Sequence, residues 1–371
     1  MPKTPFHLPG TAFDLAVFPQ NYRDARARLY DLFAQLPGSL APSLLSFRAP
    51  RVGLDGEDLY SDAIWLGPTD AESVIVLSSG THGIEGFAGT AIQLDLLGLL
   101  AQREVLWPQE IALLLIHALT PWGYSWQRRC DHDGVDLNRN AIDFAAPPEN
   151  PGYTALREAL HDADRTYREQ VFAAWRQQHG QASLEAALSA GQYDDPSGPF
   201  YGGRRPAHGR LVTEALIDIW QLATRQLAVI DLHSGLGAFG YGEVICDHPL
   251  DSAGTRQAHA WYGDAVTLPS LGTSSSVPKF GLIDYLWHAV MNEYSSFVTL
   301  EFGTYPTACL FEVLLDDHRI WAQGDDAAKE GQRAAMRHHF CPEDRGWREM
   351  VLWRARQVIS QAVCGLAHDD D

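Results

Sequence analysis

Apolar residues run along this chain in two rhythms, and the rhythm marks each element. Ser73 to Ser79 reads Ser-Val-Ile-Val-Leu-Ser-Ser and stops at Gly80, and Ile111 to Leu119 stops at Pro121. Continuous apolar runs of this length predict strands buried on both faces. Between them, Phe87 to Leu100 carries Ala91, Leu94, Leu97 and Leu100 at helical spacing. Strand, helix and strand within about 50 residues predict a right-handed crossover in a parallel or mixed sheet. Leu44 to Val52 and Asp58 to Leu66 read as earlier strands. Leu227 to Leu232, Glu243 to Cys246 and Phe297 to Glu301 read as later ones. Tyr22 to Leu36 reads as a helix stopped by Pro37-Gly38, Leu211 to Leu222 as another, and helices fill the end of the chain to Leu366.

One stretch departs from that alternation. Thr154 to Ala190 is polar and helical, and Gly191 to Gly209 is a loop rich in glycine, proline and aromatics, including Pro199-Phe200-Tyr201-Gly202-Gly203-Arg204-Arg205-Pro206. Loops of this length are either functional or disordered, and the aromatics favour an ordered one. No repeat, low-complexity tract or linker divides the chain. The pattern predicts one α/β domain over 1–371, with a mixed, mostly parallel twisted sheet flanked by helices and an insertion at 150–209.

Composition narrows the function. The chain has 371 residues and a net charge of −19, with 46% hydrophobic and 20% charged residues. That balance is globular, and its acidity argues against nucleic acid or an anionic membrane as the main partner. The start, Met1 to His7, lacks the apolar core of a signal peptide, and no apolar run approaches the ~18 residues that span a bilayer. Five scattered cysteines without a Cys-x-x-Cys suit reduced thiols. A cytoplasmic location is the expectation, and oligomeric state stays open.

In open α/β sheets, functional groups gather at the carboxyl ends of strands. Here those ends carry Gly80-Thr81-His82-Gly83-Ile84-Glu85, His233-Ser234-Gly235 and Glu301-Phe302-Gly303. The loop after the 111–119 strand ends in Asp136-Leu137-Asn138-Arg139-Asn140. Two histidines and a glutamate around an open position form a catalytic zinc arrangement, which leaves room for a water of lowered pKa. Alone, His-x-x-Glu is a weak signal, since a loop histidine bonded to backbone is about as common.

The segment Arg129-Cys130-Asp131-His132-Asp133-Gly134-Val135-Asp136-Leu137-Asn138-Arg139-Asn140 strengthens it. It resembles the substrate-binding segment of the zinc carboxypeptidases of the carboxypeptidase A family, particularly the cytosolic branch. Their His-x-x-Glu, distant His and late Glu occur here in the same order, from His82 to Glu301. The resemblance implies that His82, Glu85 and His233 hold one Zn²⁺. It implies that Arg129 polarises the scissile carbonyl, that Asn138 and Arg139 grip a substrate carboxylate, and that Glu301 is the general base. General chemistry agrees: guanidinium holds carboxylate by two parallel bonds, and a carboxylate beside a metal water cycles between base and acid.

Departures also stand in the sequence. Thr120-Pro121 and Trp122-Gly123 replace the family's Asn-Pro and Asp-Gly, and the active-site tyrosine has three candidates, Tyr285, Tyr294 and Tyr305. The 191–206 loop has no counterpart in digestive-type carboxypeptidases and is similar to a little-characterised bacterial branch. Aspartoacylase and succinylglutamate desuccinylase relatives share the triad and the Asn-Arg pair. The expected activity is therefore hydrolysis of a peptide or N-acyl bond next to a free carboxylate, by a carboxypeptidase or a deacylase. The alternative is an inactive zinc-binding protein that recognises carboxylate-ended peptides. A serine hydrolase is set aside for want of Gly-x-Ser-x-Gly. His132 reads as a polar loop residue, His338-His339 as a positive charge at a helix end, and the tryptophans as core packing.

Overall fold

The computed structural model describes residues 6–368. Eight strands form one mixed sheet: β1 (Ser43–Val52), β2 (Asp58–Leu66), β3 (Ser73–Ser79), β4 (Ile111–His117), β5 (Gln226–Ser234), β6 (Gly242–Ile245), β7 (Val266–Thr267) and β8 (Ser296–Phe302). Their order is β1-β2-β4-β3-β5-β8-β6-β7. The centre, β4-β3-β5-β8, is parallel throughout, while β1, β2 and β6 join antiparallel neighbours. The mostly parallel sheet read from the sequence is therefore its central part.

The apolar runs are continuous because both faces of the sheet are covered. On β3, Ile75 and Leu77 enter one core with Phe87, Leu97, Trp347 and Val358. Val74 and Val76 enter the other, with Leu216, Trp220 and Trp287. The long helices Gly86–Ala101 and Arg345–His368 cover the first face, and His208–Ile219 and Asp284–His288 cover the second. The stretch Gly83–Ala101 is long and apolar enough to cross a membrane by composition, contrary to the sequence reading, and 89% of its most apolar window is buried inside the fold. It is the central helix of the core.

The polar stretch Thr154 to Ala190 is three helices rather than one run: Pro151–His161, Arg165–His179 and Gln181–Ser189. Asp164 caps the second by accepting from Thr166 and Tyr167 N–H groups, and Gly180, at φ 87°, separates it from the third. Tyr153, Leu156, Phe172 and Leu184 pack there against Leu315 of the helix Thr307–Gln323. Glu185 and Ser189 of the third helix reach the cavity described below.

Candidate metal and substrate site

Three elements bring the candidate ligands together. Gly80, at φ 67°, turns the chain out of β3, and a side chain there would sit 3.0 Å from the Ala118 backbone. The turn leads to His82 and the short 3₁₀ segment Gly83–Glu85. His233 lies within β5, one strand over. Ligand atoms of His82, Glu85 and His233 all fall within 4.8 Å of one another, and all three residues are buried. His82 Nδ1 is 2.8 Å from Glu85 Oε1, and His233 Nδ1 is 3.0 Å from Glu85 Oε2.

Both imidazoles turn Nδ1 inward and Nε2 outward onto a carboxylate. His233 Nε2 lies 2.5 Å from Asp231 Oδ2, and His82 Nε2 lies 3.2 Å from Asp136 Oδ1. With the proton on Nε2, His233 donates to Asp231 and presents Nδ1 to the cluster, the arrangement that orients metal-binding histidines. His82 Nε2 lies between the Asp136 carboxylate and the Arg129 guanidinium, which donates to it. Asp231 is itself fixed by Ser78 and Thr81 hydroxyls, at 2.6 and 2.9 Å. Two imidazole nitrogens, a carboxylate and an outer carboxylate behind each imidazole fit zinc in donor type, number and support.

Electrostatics follow from this crowding. Burial would lift the Glu85 carboxyl, yet the His82 and His233 charges hold it well below the ordinary range. Burial would depress His233, but Asp231 outweighs it and holds the imidazole well above the usual value. Asp136 is held low by Arg129 and His82 against the pull of burial.

Glu301 stands on β8 directly beside His233, its Cα partner in the parallel register. It belongs to the paired strand and not to the loop after it. Its Oε1 accepts the Leu236 N–H at 3.0 Å. Burial and the Glu85 charge push its carboxyl up to about 8. Arg129 reaches the same centre: Nε donates to Asp136 Oδ2 at 3.0 Å and Nη1 to Glu85 Oε1 at 3.1 Å, while Nη2 is 2.7 Å from His82 Nε2. Its neighbour Arg128 turns away and pairs with Asp317, at 2.8 Å.

One cavity of about 90 Å³ holds all seven sequence-predicted residues: His82, Glu85, Arg129, Asn138, Arg139, His233 and Glu301. Arg139 is fully buried, and its Nε and Nη2 donate to the Ser189 carbonyl at 3.0 and 2.7 Å. Nη1 donates to the Asn138 carbonyl. Asn138 Oδ1 accepts the Ile283 N–H at 2.8 Å, which fixes the amide at the wall.

The cavity has further lining that the motifs did not single out: Phe200, Asp247, Lys279 and Asp284. Burial and the nearby Arg139 charge pull the Lys279 amine down to about 8, whereas burial pushes Asp247 and Asp284 up. None of the three candidate tyrosines lines it. Tyr285 and Tyr294 are exposed, and Tyr305 packs on Phe239 and His338. His339 closes the helix Asp326–Phe340 without the expected charge, because burial pushes it down to about 4. His132 is a loop residue 3.6 Å from Asp133.

Asp231 carried a legible signal. It precedes His233 by two positions on one strand, so both side chains share a face. Phe200 belongs to the 191–209 loop whose aromatics already favoured order, whereas Asp247, Lys279 and Asp284 carried no signal, since they meet the site only through the fold.

A family profile described as "Protein of unknown function (DUF2817)" matches residues 18–354. No curated protein matches the sequence. Solved structures similar to the chain include the thrombin activatable fibrinolysis inhibitor, at 11% identity and TM-score 0.48, covering 88% of this chain and 79% of that one. A metallo-carboxypeptidase from Burkholderia cenocepacia is similar at 14% identity and TM-score 0.44, over 95% and 70% of the two chains. The succinylglutamate desuccinylase from Chromobacterium violaceum is similar at 16% identity and TM-score 0.33, over 85% and 77%.

Proposed function

The chain belongs to the DUF2817 family, and we propose that it is a zinc-dependent hydrolase of an amide bond, peptide or N-acyl, next to a free carboxylate. One observation carries this reading. The buried His82–Glu85–His233 cluster, the carboxyl of Glu301 and the guanidinium groups of Arg129 and Arg139 share a single cavity. A cavity for an uncharged ligand has no need of two guanidinium groups on its wall, one of them fully buried, and a mere binder of carboxylate-ended peptides has no need of Glu301 beside the triad.

His82, Glu85 and His233 would hold the zinc, which in such sites supplies a water of lowered pKa and polarises a carbonyl. The chain's own residues do the rest. Arg139, buried and fixed by two backbone carbonyls, presents a positive charge whose hydrogen bonds among the described residues all go to backbone oxygens. It binds the substrate carboxylate, and Asn138 orients it. Arg129 would donate to a carbonyl oxygen as negative charge grows there, an interaction strongest in the transition state. Glu301 takes a proton on its carboxylate and returns it to the leaving nitrogen.

Substrate class is tested by comparing each free acid with its amide, for wild type and Arg139→Ala. Removing a buried, charge-assisted contact is expected to cost about 2–4 kcal/mol, roughly 30- to 1000-fold in kcat/KM, mainly through KM. The loss should appear on the acid and vanish on the amide. Equal losses on both would make Arg139 structural and remove the free carboxylate from the reading. Peptides and N-acyl amino acids in the same panel separate a carboxypeptidase from a deacylase.

A further inference from the structure

Phe200 is in the left-handed region, at φ 57°, although it is a bulky aromatic residue. That conformation costs free energy and persists only where the surroundings over-determine it. Here they do. The Gln192 backbone N–H donates to the Phe200 carbonyl at 3.1 Å, and the Gly202 N–H donates to the Gln192 carbonyl at 2.8 Å. The Gln192 side chain donates to the carbonyls of Asp195 and Pro199, at 2.7 and 3.3 Å. The loop is thus closed from both sides of Phe200, and its ring is driven inward, buried against Phe311.

The ring meets two cations there. Its centre lies 5.4 Å from the Arg129 guanidinium carbon and 5.6 Å from that of Arg139. Aromatic rings attract guanidinium groups at such distances, more strongly when the pair is shielded from water. Two like charges in one small cavity repel each other, and a ring touching both offsets part of that repulsion.

We propose that Phe200 is a positioning residue that sets the spacing of Arg129 and Arg139, and with it the distance between the hydrolysed carbonyl and the recognised carboxylate. This rests on the functional reading above. The strained loop then has a use: it delivers one ring to the two groups whose separation decides which amide bond is next to the carboxylate.

The test uses zinc-loaded full-length protein with Glu301→Gln throughout, so that ligand is not consumed. Calorimetry measures the affinity of N-acetyl amino acids and of their C-terminal amides. Phe200→Gly removes the ring and suits the left-handed backbone, Phe200→Leu fills the space without a ring, and Phe200→Tyr keeps the ring. Glycine and leucine variants are expected to weaken acid binding about tenfold, with amide binding and zinc content unchanged. The tyrosine variant should bind the acid as the parent does. Should the glycine variant fail to fold, the leucine variant gives the same comparison.

Acid affinity unchanged in the folded ring-less variants would overturn the proposal, as would equal weakening of acid and amide. If the parent itself does not prefer acid to amide, the functional reading falls and takes this one with it. A parent that prefers the acid, alongside a ring-less variant that does so equally, overturns this proposal alone.

Discussion

Asp231 never reaches the cavity, yet it determines how His233 faces it. Its carboxylate, 2.5 Å from Nε2, accepts from that nitrogen and turns Nδ1 toward Glu85 and the cluster. Asp231→Asn keeps the shape and removes the charge, so zinc affinity is expected to fall about 10- to 100-fold, measured by competition with a chelator. Unchanged affinity would mean that the hydroxyls of Ser78 and Thr81 are its real partners. Glu301→Gln tests a different role. Zinc content should be retained while kcat falls about 10²- to 10⁴-fold, and a near-normal kcat would move the base elsewhere. At this scale the site was largely legible, because the ligands sit at strand ends and within short motifs. The cavity's remaining lining was not, since Asp247, Lys279 and Asp284 are placed by pairing and loops far from any motif.

At the scale of elements, the buried strands matched their apolar runs to within about two residues, because burial on both faces leaves a clear pattern. The 150–209 segment was harder. Its breaks are set by an aspartate cap and a glycine inside one polar stretch, and a helical rhythm does not reveal them. The two-residue β7 is too short to have a pattern at all. The loop after these helices touches the site through Gly191 as well as Phe200. Gly191 has φ 113°, and an added Cβ would sit 2.8 Å from Arg139 Cδ. Gly191→Ala is therefore expected to lower stability by about 1–2 kcal/mol and to raise KM for the free acid more than for the amide. Thermal melts and paired kinetics check it; a change in stability alone would confine the loop to a structural role.

Across the whole molecule, buried histidines tie stability to pH. Burial pushes His117 down to about 4, His248 to about 4 and His288 to about 3. Among the described residues, neither ring nitrogen of His117 has a hydrogen-bond partner. In the unfolded chain these groups take protons near pH 6.5, whereas in the fold they stay neutral until far lower. The stability these three groups contribute is thus fully present above about pH 6.5 and is lost as pH falls toward about 4. The melting temperature should drop across that window, and His117→Phe should make the drop shallower. An equally steep drop in that variant would place the acid lability elsewhere.

The central claim is that the buried His82–Glu85–His233 cluster holds a zinc ion on which hydrolysis depends. Metal analysis of protein purified without added zinc, paired with hydrolysis of N-acyl amino acids before and after chelation, tests it most directly. One zinc per chain is expected, with activity lost on chelation, restored by zinc, and zinc absent from His233→Ala. A metal-free protein that still hydrolyses these substrates, or full zinc occupancy in His82→Ala and His233→Ala alike, would contradict it.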